Sequence, residues 1–413
     1  MKKIALLFAG QGSQNIGMGK ALYDEFHAAR MVFEEANDVL GYDLKKVCFE
    51  GSLGELNKSD NMQLAILTCG FAAFKVYIEQ TGIMPDCAAG HSIGEYAAMT
   101  ASGAIAFKDA LAIVRKRGQL AQNAANETNG AMTIISDFDV GLLEKECLKE
   151  STSDMYVAVS CYNASNQSAI SGHQDAVLSV EDSVVKMGGN IMPLIMSAPF
   201  HCELMSNAAE QLEMELKSHK YSEFDFPVLS NVNCMPYDHC KSIVDLLTDQ
   251  IRKPVRWNGI IEFLRRRRVD VVVDMGPQAL LSNLIKAEGI PFATFSFDVP
   301  RERQELISWI ESNAAELSSE ITKCLVEAVS TKNCSPEDGV LKTDFAEAYK
   351  RMLEIQAVLK AEGKRLSKLQ KIEAARLLKI VFDSKSVPEE VQKKKFRSIF
   401  NNNGIFEEVT SIR

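Results

Sequence analysis

A serine between two glycines has the clearest chemical meaning in this sequence. Residues 88–96 read AAGHSIGEY, so Gly90 and Gly94 flank Ser92. A turn-flanked apolar run precedes the serine and an alanine-rich helical pattern follows it, which is the strand–turn–helix setting of a nucleophile elbow. On such a turn the hydroxyl stands clear of the backbone, and the unpaired N–H groups of the helix N-terminus can stabilise a developing anion. The pattern therefore predicts that Ser92 is a nucleophile.

A serine needs a base before it can act as a nucleophile at neutral pH. Of the six histidines, His201 lies in the turn-like segment SAPFHC, well after Ser92. A base downstream of the serine is the order found in α/β-hydrolase folds. His91 adjoins the serine and is interpreted as structural, whereas three others are interpreted as surface residues: His27, His219 and His239. No acid between serine and base stands out, so a backbone carbonyl could orient the imidazole instead.

Composition excludes several classes of function. The chain has 413 residues and a formal charge of −9, which argues against nucleic acid as a general partner. Its ten cysteines show no paired spacing, which indicates free thiols in a reducing compartment, and we predict a cytoplasmic protein. The spacing of Cys234, His239 and Cys240 does not match known zinc sites, so we predict no metal.

The N-terminus and the apolar stretches bear on membrane association. Lys2 and Lys3 precede a short apolar run without a cleavage site, which favours a buried first strand over a signal peptide. We expect no segment to approach the roughly 20 apolar residues of a membrane helix. We therefore predict no membrane partner.

Alternating strand and helix patterns predict an α/β layered sheet in the first part of the chain. A strand is predicted at 4–9 with a loop at 10–14, and the predicted helices are 19–40, 61–80 and 107–128. From residue 130 short strands and two helices follow in the order βαββαβ, which is typical of a ferredoxin-like unit. The pattern of the first part resumes after residue 196. The predicted domains are 1–129 with 195–312 for a large α/β subdomain, 130–194 for a small inserted one, and 313–413 for a helical C-terminal extension.

The last hundred residues have a different texture. They contain Lys/Glu/Leu-rich helical patterns broken near residues 333–336 and 387–388. Phe345, Tyr349, Met352 and Leu359 share one face at helical spacing. We interpret the region as a helical extension, and the alternative is a module through which residues 313–413 dock to a synthase assembly.

Several motifs, taken in order, give the chain a resemblance to a known family. The motifs are FAGQGSQ at 8–14, GHSIGE at 90–95, Arg117-Gly118, Asn163 in CYNA, Pro199-Phe200-His201, Gln250 in LTDQ, and DMGP at 274–277. Together they resemble the malonyl-CoA:acyl-carrier-protein transacylase family over roughly residues 1–312. The resemblance implies a hydrolase-like large subdomain with an inserted ferredoxin-like small subdomain, in agreement with the pattern of predicted elements.

The resemblance also implies roles for particular residues. Ser92 is expected to carry the acyl group and His201 to act as general base and acid. Backbone N–H groups of two residues are expected to form the oxyanion hole: Gln11 and Ile93. The Gln250 carbonyl is expected to orient the histidine, and Arg117 to pair with the malonyl carboxylate, a bidentate task suited to guanidinium. Two residues are expected to line the substrate pocket: Asn163 and Phe200.

The expected reaction is malonyl transfer from malonyl-CoA to the phosphopantetheine thiol of an acyl carrier protein, with the CoA thioester as substrate and no bound cofactor. Fatty-acid and polyketide synthesis both fit. One alternative is an acyl hydrolase that edits carrier-protein thioesters, and another is a non-catalytic docking subunit. An acidic carrier needs a basic landing site. The candidate residues are Arg252, Lys253, Arg256 and the run Arg265–Arg268.

Overall fold

The computed structural model describes residues 2–194, 197–313, 320–331, 343–362, 366–400 and 403–411. Contacts divide the chain into two compact units, one formed by Ile4–Gln304 and one by Met1–Lys3 with Glu305–Arg413. The domain boundaries expected at 129/130, 194/195 and 312/313 stay predictions.

Two sheets form the framework of the larger unit. The strands are β1 (Ile4–Phe8), β2 (Cys87–Gly90), β3 (Gly130–Ser136), β4 (Val157–Tyr162), β5 (Gln167–His173), β6 (Asn190–Pro193), β7 (Val228–Leu229), β8 (Val271–Asp274) and β9 (Ala293–Ser296). One sheet is parallel with the order β7-β2-β1-β8-β9, and the other is antiparallel with the order β4-β5-β3-β6. Together with the helices below, this arrangement confirms the predicted α/β fold class.

Helices pack around the two sheets of the larger unit. They are α1 (Lys20–Glu25), α2 (His27–Leu40), α3 (Leu44–Glu50), α4 (Leu53–Leu56), α5 (Ser59–Thr81), α6 (Gly94–Ala101), α7 (Phe107–Thr128), α8 (Val140–Glu150), α9 (Gln174–Lys186), α10 (Ser206–Lys217), α11 (Ile243–Arg252), α12 (Trp257–Arg266) and α13 (Leu280–Ala287). Helix α14 (Pro300–Ser312) begins in the larger unit and ends in the second. The single helix expected over 19–40 is wrong. Phe26 adopts an extended backbone, with φ −118° and ψ 133°, and separates α1 from α2.

The parallel sheet brings three loops to one edge. In register, Phe8 of β1 lies beside Gly90 of β2, and Leu7 lies beside Asp274 of β8. Because the strands are parallel, the loops that follow their carboxyl ends meet there, which is where open α/β sheets bind ligands. All five residues of β1 are buried, as expected for a strand covered on both faces.

Helix α5 corrects the expectation that no segment is long and apolar enough to cross a membrane. By length and composition it qualifies, alone among helices in the described residues. Most of that stretch, 78%, is buried inside the protein, where α5 contacts α2, α6 and α7. A helix that is apolar on all sides is a core helix or a membrane span, and here the burial accounts for its composition.

The antiparallel sheet forms the small subdomain. Strands β3 to β6 lie in the order second, third, first, fourth, with α8 and α9 between them in sequence, as in a ferredoxin-like unit. Its apolar core includes Ile135, Leu143, Val159, Ile170 and Val180.

The second unit is helical and has its own apolar core. Its helices are α15 (Glu320–Ser330), α16 (Thr343–Glu362), α17 (Lys368–Ser384), α18 (Glu389–Phe400) and α19 (Asn403–Ser411). Met352 and Leu359 on α16 are buried in that core, and Phe345 and Tyr349 pack against it, as their shared face predicted. The break expected near residues 333–336 lies outside the described residues.

A methyl group at Gly94 tests the close approach of α6 to β1. An added Cβ would lie 2.1 Å from the Phe8 carbonyl oxygen and 2.7 Å from that of Ala9. Backbone atoms cannot move aside as a side chain can, so Gly94→Ala should lower the free energy of unfolding by about 3 kcal/mol or more. Urea denaturation of the variant and the wild type measures the difference in free energy of unfolding.

Gly54→Ala in α4 is the matched control, because its nearest contact would be Ser52 Oγ at 4.0 Å. There the added methyl should leave stability unchanged or raise it by up to about 1 kcal/mol. Equal stability of the two variants would contradict the packing described here.

Candidate active site

Ser92 sits at the turn between β2 and α6, as the motif predicted. Its backbone has φ 52°, a left-handed value that side chains rarely adopt and that is often found at functional positions. Asn231 holds the turn from the other side, because its Oδ1 accepts from the Ser92 N–H at 2.7 Å and its Nδ2 donates to the Gly90 carbonyl at 2.6 Å. Hydrogen bonds from a distant part of the chain thus stabilise the strained backbone conformation of this turn.

The structure brings His201 to the serine. Its Nε2 lies 2.7 Å from Ser92 Oγ, and its Nδ1 lies 2.7 Å from the carbonyl oxygen of Gln250. That carbonyl can only accept, so Nδ1 carries the proton and Nε2 is left as the acceptor for the serine hydroxyl. Burial, with a smaller contribution from the positive charge of Arg117, lowers the pKa of His201 to about 3. A neutral imidazole in this tautomer can take the serine proton.

Arg117 on α7 is a buried cation next to the serine. It is 1% exposed, its Nη1 donates to Gln63 Oε1 at 2.7 Å, and its Nη2 donates to Ser92 Oγ at 3.3 Å. Its Nε is buried without a hydrogen-bond partner, and no carboxylate lies within ion-pair distance of the guanidinium among the described residues. Its guanidinium carbon Cζ lies over the Phe200 ring, 4.7 Å from the ring centre. The guanidinium therefore lacks an anionic partner for its charge and an acceptor for its Nε–H group.

Two backbone N–H groups near the serine have no acceptor among the described residues. They belong to Gln11, in the loop after β1, and to Ile93, at the N-terminus of α6. An oxyanion hole consists of such free donors, held in place before the charge develops.

The loop after β8 is hydrogen-bonded to the loop after β1 that carries Gln11. Gln278 Nε2 donates to the carbonyl oxygens of Ser13 and Gln14, both at 3.2 Å. Gln278 and the next residue, Ala279, both adopt left-handed backbone conformations, with φ 63° and 55°. The motif at 274–277 pointed to this region of the chain but not to Gln278.

A cavity of about 360 Å³ opens onto the serine and the histidine. Gln11, Asn163 and Phe200 are among its lining residues, and much of the remaining wall is apolar. Asn163 Oδ1 lies 2.8 Å from His91 Nε2, so His91 is tied to the cavity wall. The cavity wall thus includes both residues expected to line the pocket, whereas Arg117 is not among the lining residues and contacts Phe200, which is.

Sequence reasoning missed four buried polar residues around the serine: Gln63, Glu95, Asn231 and Tyr237. A signal existed for Gln63 and Glu95, since each is a polar residue within an apolar helical stretch, where an isolated polar group must find a buried partner. For Asn231 and Tyr237 no local signal exists, because their partners lie more than a hundred residues away.

The other singled-out residues lie elsewhere. His27 and His239 are exposed as expected, but His219 is only partly exposed and contacts Asp109 and Glu215. The described residues contain no cluster of side chains that could hold a metal ion.

The low pKa of His201 makes stability depend on pH. As pH falls from 7 to 5, the unfolded chain protonates this histidine near its ordinary pKa of about 6.5, whereas the folded protein does not. His201 therefore costs the wild type stability over that range. His201→Gln has no titrating group at this position. Between pH 7 and pH 5 its free energy of unfolding should therefore fall by about 1 to 2 kcal/mol less than that of the wild type.

Urea denaturation at the two pH values measures the difference. His239→Gln, at an exposed histidine, is the control and should follow the wild type. If His201→Gln and the wild type lost equal stability, the histidine would not be held neutral as described.

Comparisons with known proteins agree with this geometry. The acyl transferase domain family matches residues 5–291. The chain is 40% identical over 286 residues to a malonyl CoA-acyl carrier protein transacylase of Bacillus subtilis, which covers 69% of this chain and 72% of that protein. It is 34% identical over 287 residues to the enzyme of that name in Escherichia coli K12, covering 69% of this chain and 93% of the relative.

Solved structures give the same result. The malonyl CoA-acyl carrier protein transacylase from Coxiella burnetii superposes with a TM-score of 0.72 at 30% identity, covering 74% of this chain and 97% of the other. A malonyl-transacylase solved in complex with its type II PKS acyl-carrier protein has a TM-score of 0.71 at 33% identity, with 74% and 99% covered. The extent of these matches, together with the serine, histidine and arginine at one sheet edge, shows that the chain belongs to the malonyl-CoA:acyl-carrier-protein transacylase family of acyltransferases.

Proposed function

We propose that this protein transfers a malonyl group from malonyl-CoA to the phosphopantetheine thiol of an acyl carrier protein, through an acyl-enzyme on Ser92. The observation that carries the proposal is the buried guanidinium of Arg117, 3.3 Å from the serine hydroxyl and without a carboxylate partner among the described residues. A malonyl thioester supplies the missing group, because it ends in a free carboxylate close to its reactive carbonyl.

Binding places the substrate carboxylate against Arg117. A guanidinium offers parallel N–H donors that match the two oxygens of a carboxylate, and burial strengthens the attraction. The guanidinium also lies over the ring of Phe200, a cation–π contact that helps to hold it in place. The thioester carbonyl then faces Ser92, with its oxygen toward the N–H groups of Gln11 and Ile93.

Acylation follows from the tautomer of His201. Ser92 Oγ attacks the carbonyl carbon while Nε2 takes its proton, and the negative oxygen accepts from the two free N–H groups. When the carbon–sulfur bond breaks, the CoA sulfur takes the proton from Nε2 and leaves as the thiol. Throughout, the Gln250 carbonyl accepts from Nδ1 and stabilises the imidazolium.

Transfer repeats these steps with a different thiol. The carrier's phosphopantetheine thiol gives its proton to Nε2 and attacks the acyl carbon, and Ser92 regains a proton as it leaves. The same thiol chemistry serves fatty-acid and polyketide carriers, so both pathways fit. An editing hydrolase would admit water at this stage. We rank it second because a carboxylate-binding Arg117 suits retention of malonyl.

Part of the expected carrier surface is neutralised within the chain. Arg252 and Lys253 both pair with Asp249, and Arg265 and Arg266 both pair with Glu262. Docking of an acidic carrier at this surface, docking of a synthase at residues 313–413, and a cytoplasmic setting stay proposals.

Replacing Arg117 tests the proposed function. Arg117→Ala removes the charged hydrogen bonds to the malonyl carboxylate, so the efficiency of malonyl addition should fall by roughly a hundredfold. Acetyl addition, which involves no free carboxylate, should fall far less. Intact mass after brief mixing with competing malonyl-, methylmalonyl- and acetyl-CoA measures the preference, and Ser92→Ala should carry no adduct.

Arg115→Ala is the matched control. This arginine lies on the same helix but donates to the Leu40 carbonyl at 2.6 Å, away from the serine. It should keep the wild-type preference. Release of CoA without a lasting adduct in the wild type would point to the hydrolase, and an unchanged malonyl preference in Arg117→Ala would contradict the role of the guanidinium.

A further inference from the structure

The steps above leave one buried acid beside the serine without a role. Glu95 lies in the first turn of α6 and is 0% exposed. Its carboxylate accepts hydrogen bonds from the Tyr237 hydroxyl at 2.6 Å, from Gln250 Nε2 at 3.1 Å and from the Asn231 N–H at 3.3 Å. Burying a carboxylate is costly unless donors surround it, and donors from three separate parts of the chain converge on this one.

Gln250 links this acid to the catalytic pair. Its side-chain Nε2 donates to the Ser92 carbonyl at 2.6 Å as well as to Glu95. Its own backbone carbonyl, in the last turn of α11, is free of helical bonding and accepts from His201 Nδ1 at 2.7 Å. Whatever fixes the side chain of Gln250 therefore also fixes the carbonyl that orients the histidine.

Asp249, the acid next to Gln250 in the sequence, cannot take this role. It is partly exposed and pairs with Arg252 at 2.8 Å and with Lys253 at 2.8 Å. These two cations balance its charge at the protein surface. Glu95 is the carboxylate that contacts Gln250 inside the site.

From this geometry we propose that Glu95 is a positioning residue for the acyl transfer: its carboxylate holds the Gln250 side chain, and through it the backbone carbonyl that orients His201. Glu95 thus fills the place of the acid in a serine–histidine–acid arrangement while acting through an intervening residue. The inference rests on the proposed function. It also accounts for an acid at this position, because a neutral amide has a single acceptor oxygen and would turn its N–H groups toward the donor of either Tyr237 or Gln250.

Charge adds to the effect of geometry. Burial raises the pKa of Glu95 to about 7, although its hydrogen bonds and the Arg117 charge oppose the rise. The carboxylate in turn partly offsets the field of Arg117. A test at pH 8, where Glu95 is mostly ionised, therefore gives the largest contrast with a neutral replacement.

The test is the single-turnover rate of Ser92 malonylation at pH 8, followed by rapid quench and intact mass. Glu95→Gln should lower the maximal rate by roughly ten- to a hundredfold, by analogy with the loss that follows when a residue orienting a metal-bound histidine is changed. The half-saturating concentration of malonyl-CoA should not rise, because Arg117 is untouched. General loosening of the site would raise it.

Two further variants test the link through Gln250. Gln250→Ala keeps the backbone carbonyl but removes the side chain, and it should show a similar loss of rate. Both changes break the same link, the hydrogen bond between Glu95 and the Gln250 side chain. The double variant Glu95→Gln with Gln250→Ala should therefore be no slower than the slower single variant.

Glu181→Gln is the matched control, since Glu181 is also a buried glutamate, 6% exposed and hydrogen-bonded to Thr133 in the small subdomain. It should keep the wild-type rate.

Several outcomes would overturn the proposal: a wild-type rate in Glu95→Gln, a raised half-saturating concentration at an unchanged maximal rate, or losses that add in the double variant. If Glu95→Gln fails to fold, a wild-type rate in Gln250→Ala alone overturns it. Failure of the wild-type protein to become malonylated would instead reject the proposed function, so the two failures are distinguishable.

Discussion

A buried guanidinium without a carboxylate partner sets the chemistry of this protein. Arg117 is 1% exposed and donates to the neutral side chains of Gln63, Ser92 and Gln250, while its Nε has no hydrogen-bond partner. A buried charge without an ion-pair partner in contact lowers stability, since removing one partner of a buried pair typically costs about 3–5 kcal/mol. A ligand that brings a carboxylate supplies the missing ion-pair partner of Arg117. The site therefore favours ligands that carry a carboxylate.

The same interior network couples substrate, nucleophile and base. Gln250 accepts from Arg117 at 3.4 Å through its side chain, donates to the Ser92 carbonyl, and holds His201 through its backbone. Ser92 and His201 both adopt left-handed backbone conformations, with φ 52° and 65°. Strain at both reacting residues persists only because hydrogen bonds from distant segments fix them, so the catalytic geometry exists before the substrate arrives.

Sequence patterns predicted the local elements well because their causes are local. The glycines around Ser92, the apolar run of β1 and the helical face of α16 are each written in consecutive residues. The break at Phe26 was missed, since the apolar periodicity continues across it. Glu95 and Asn231 could not be assigned roles, because their meaning depends on partners 136 residues apart that only the fold brings together. The pairing of Arg117 with a carboxylate came from resemblance, not from spacing.

The most direct test of this account is a crystal structure of the enzyme malonylated on Ser92. The free carboxylate of the malonyl group should accept two hydrogen bonds from the Arg117 guanidinium at about 2.7–2.9 Å, with the ester oxygen facing the N–H groups of Gln11 and Ile93. A malonyl carboxylate directed to solvent, with Arg117 still bonded only to the protein, would contradict the claim that the buried charge selects the substrate.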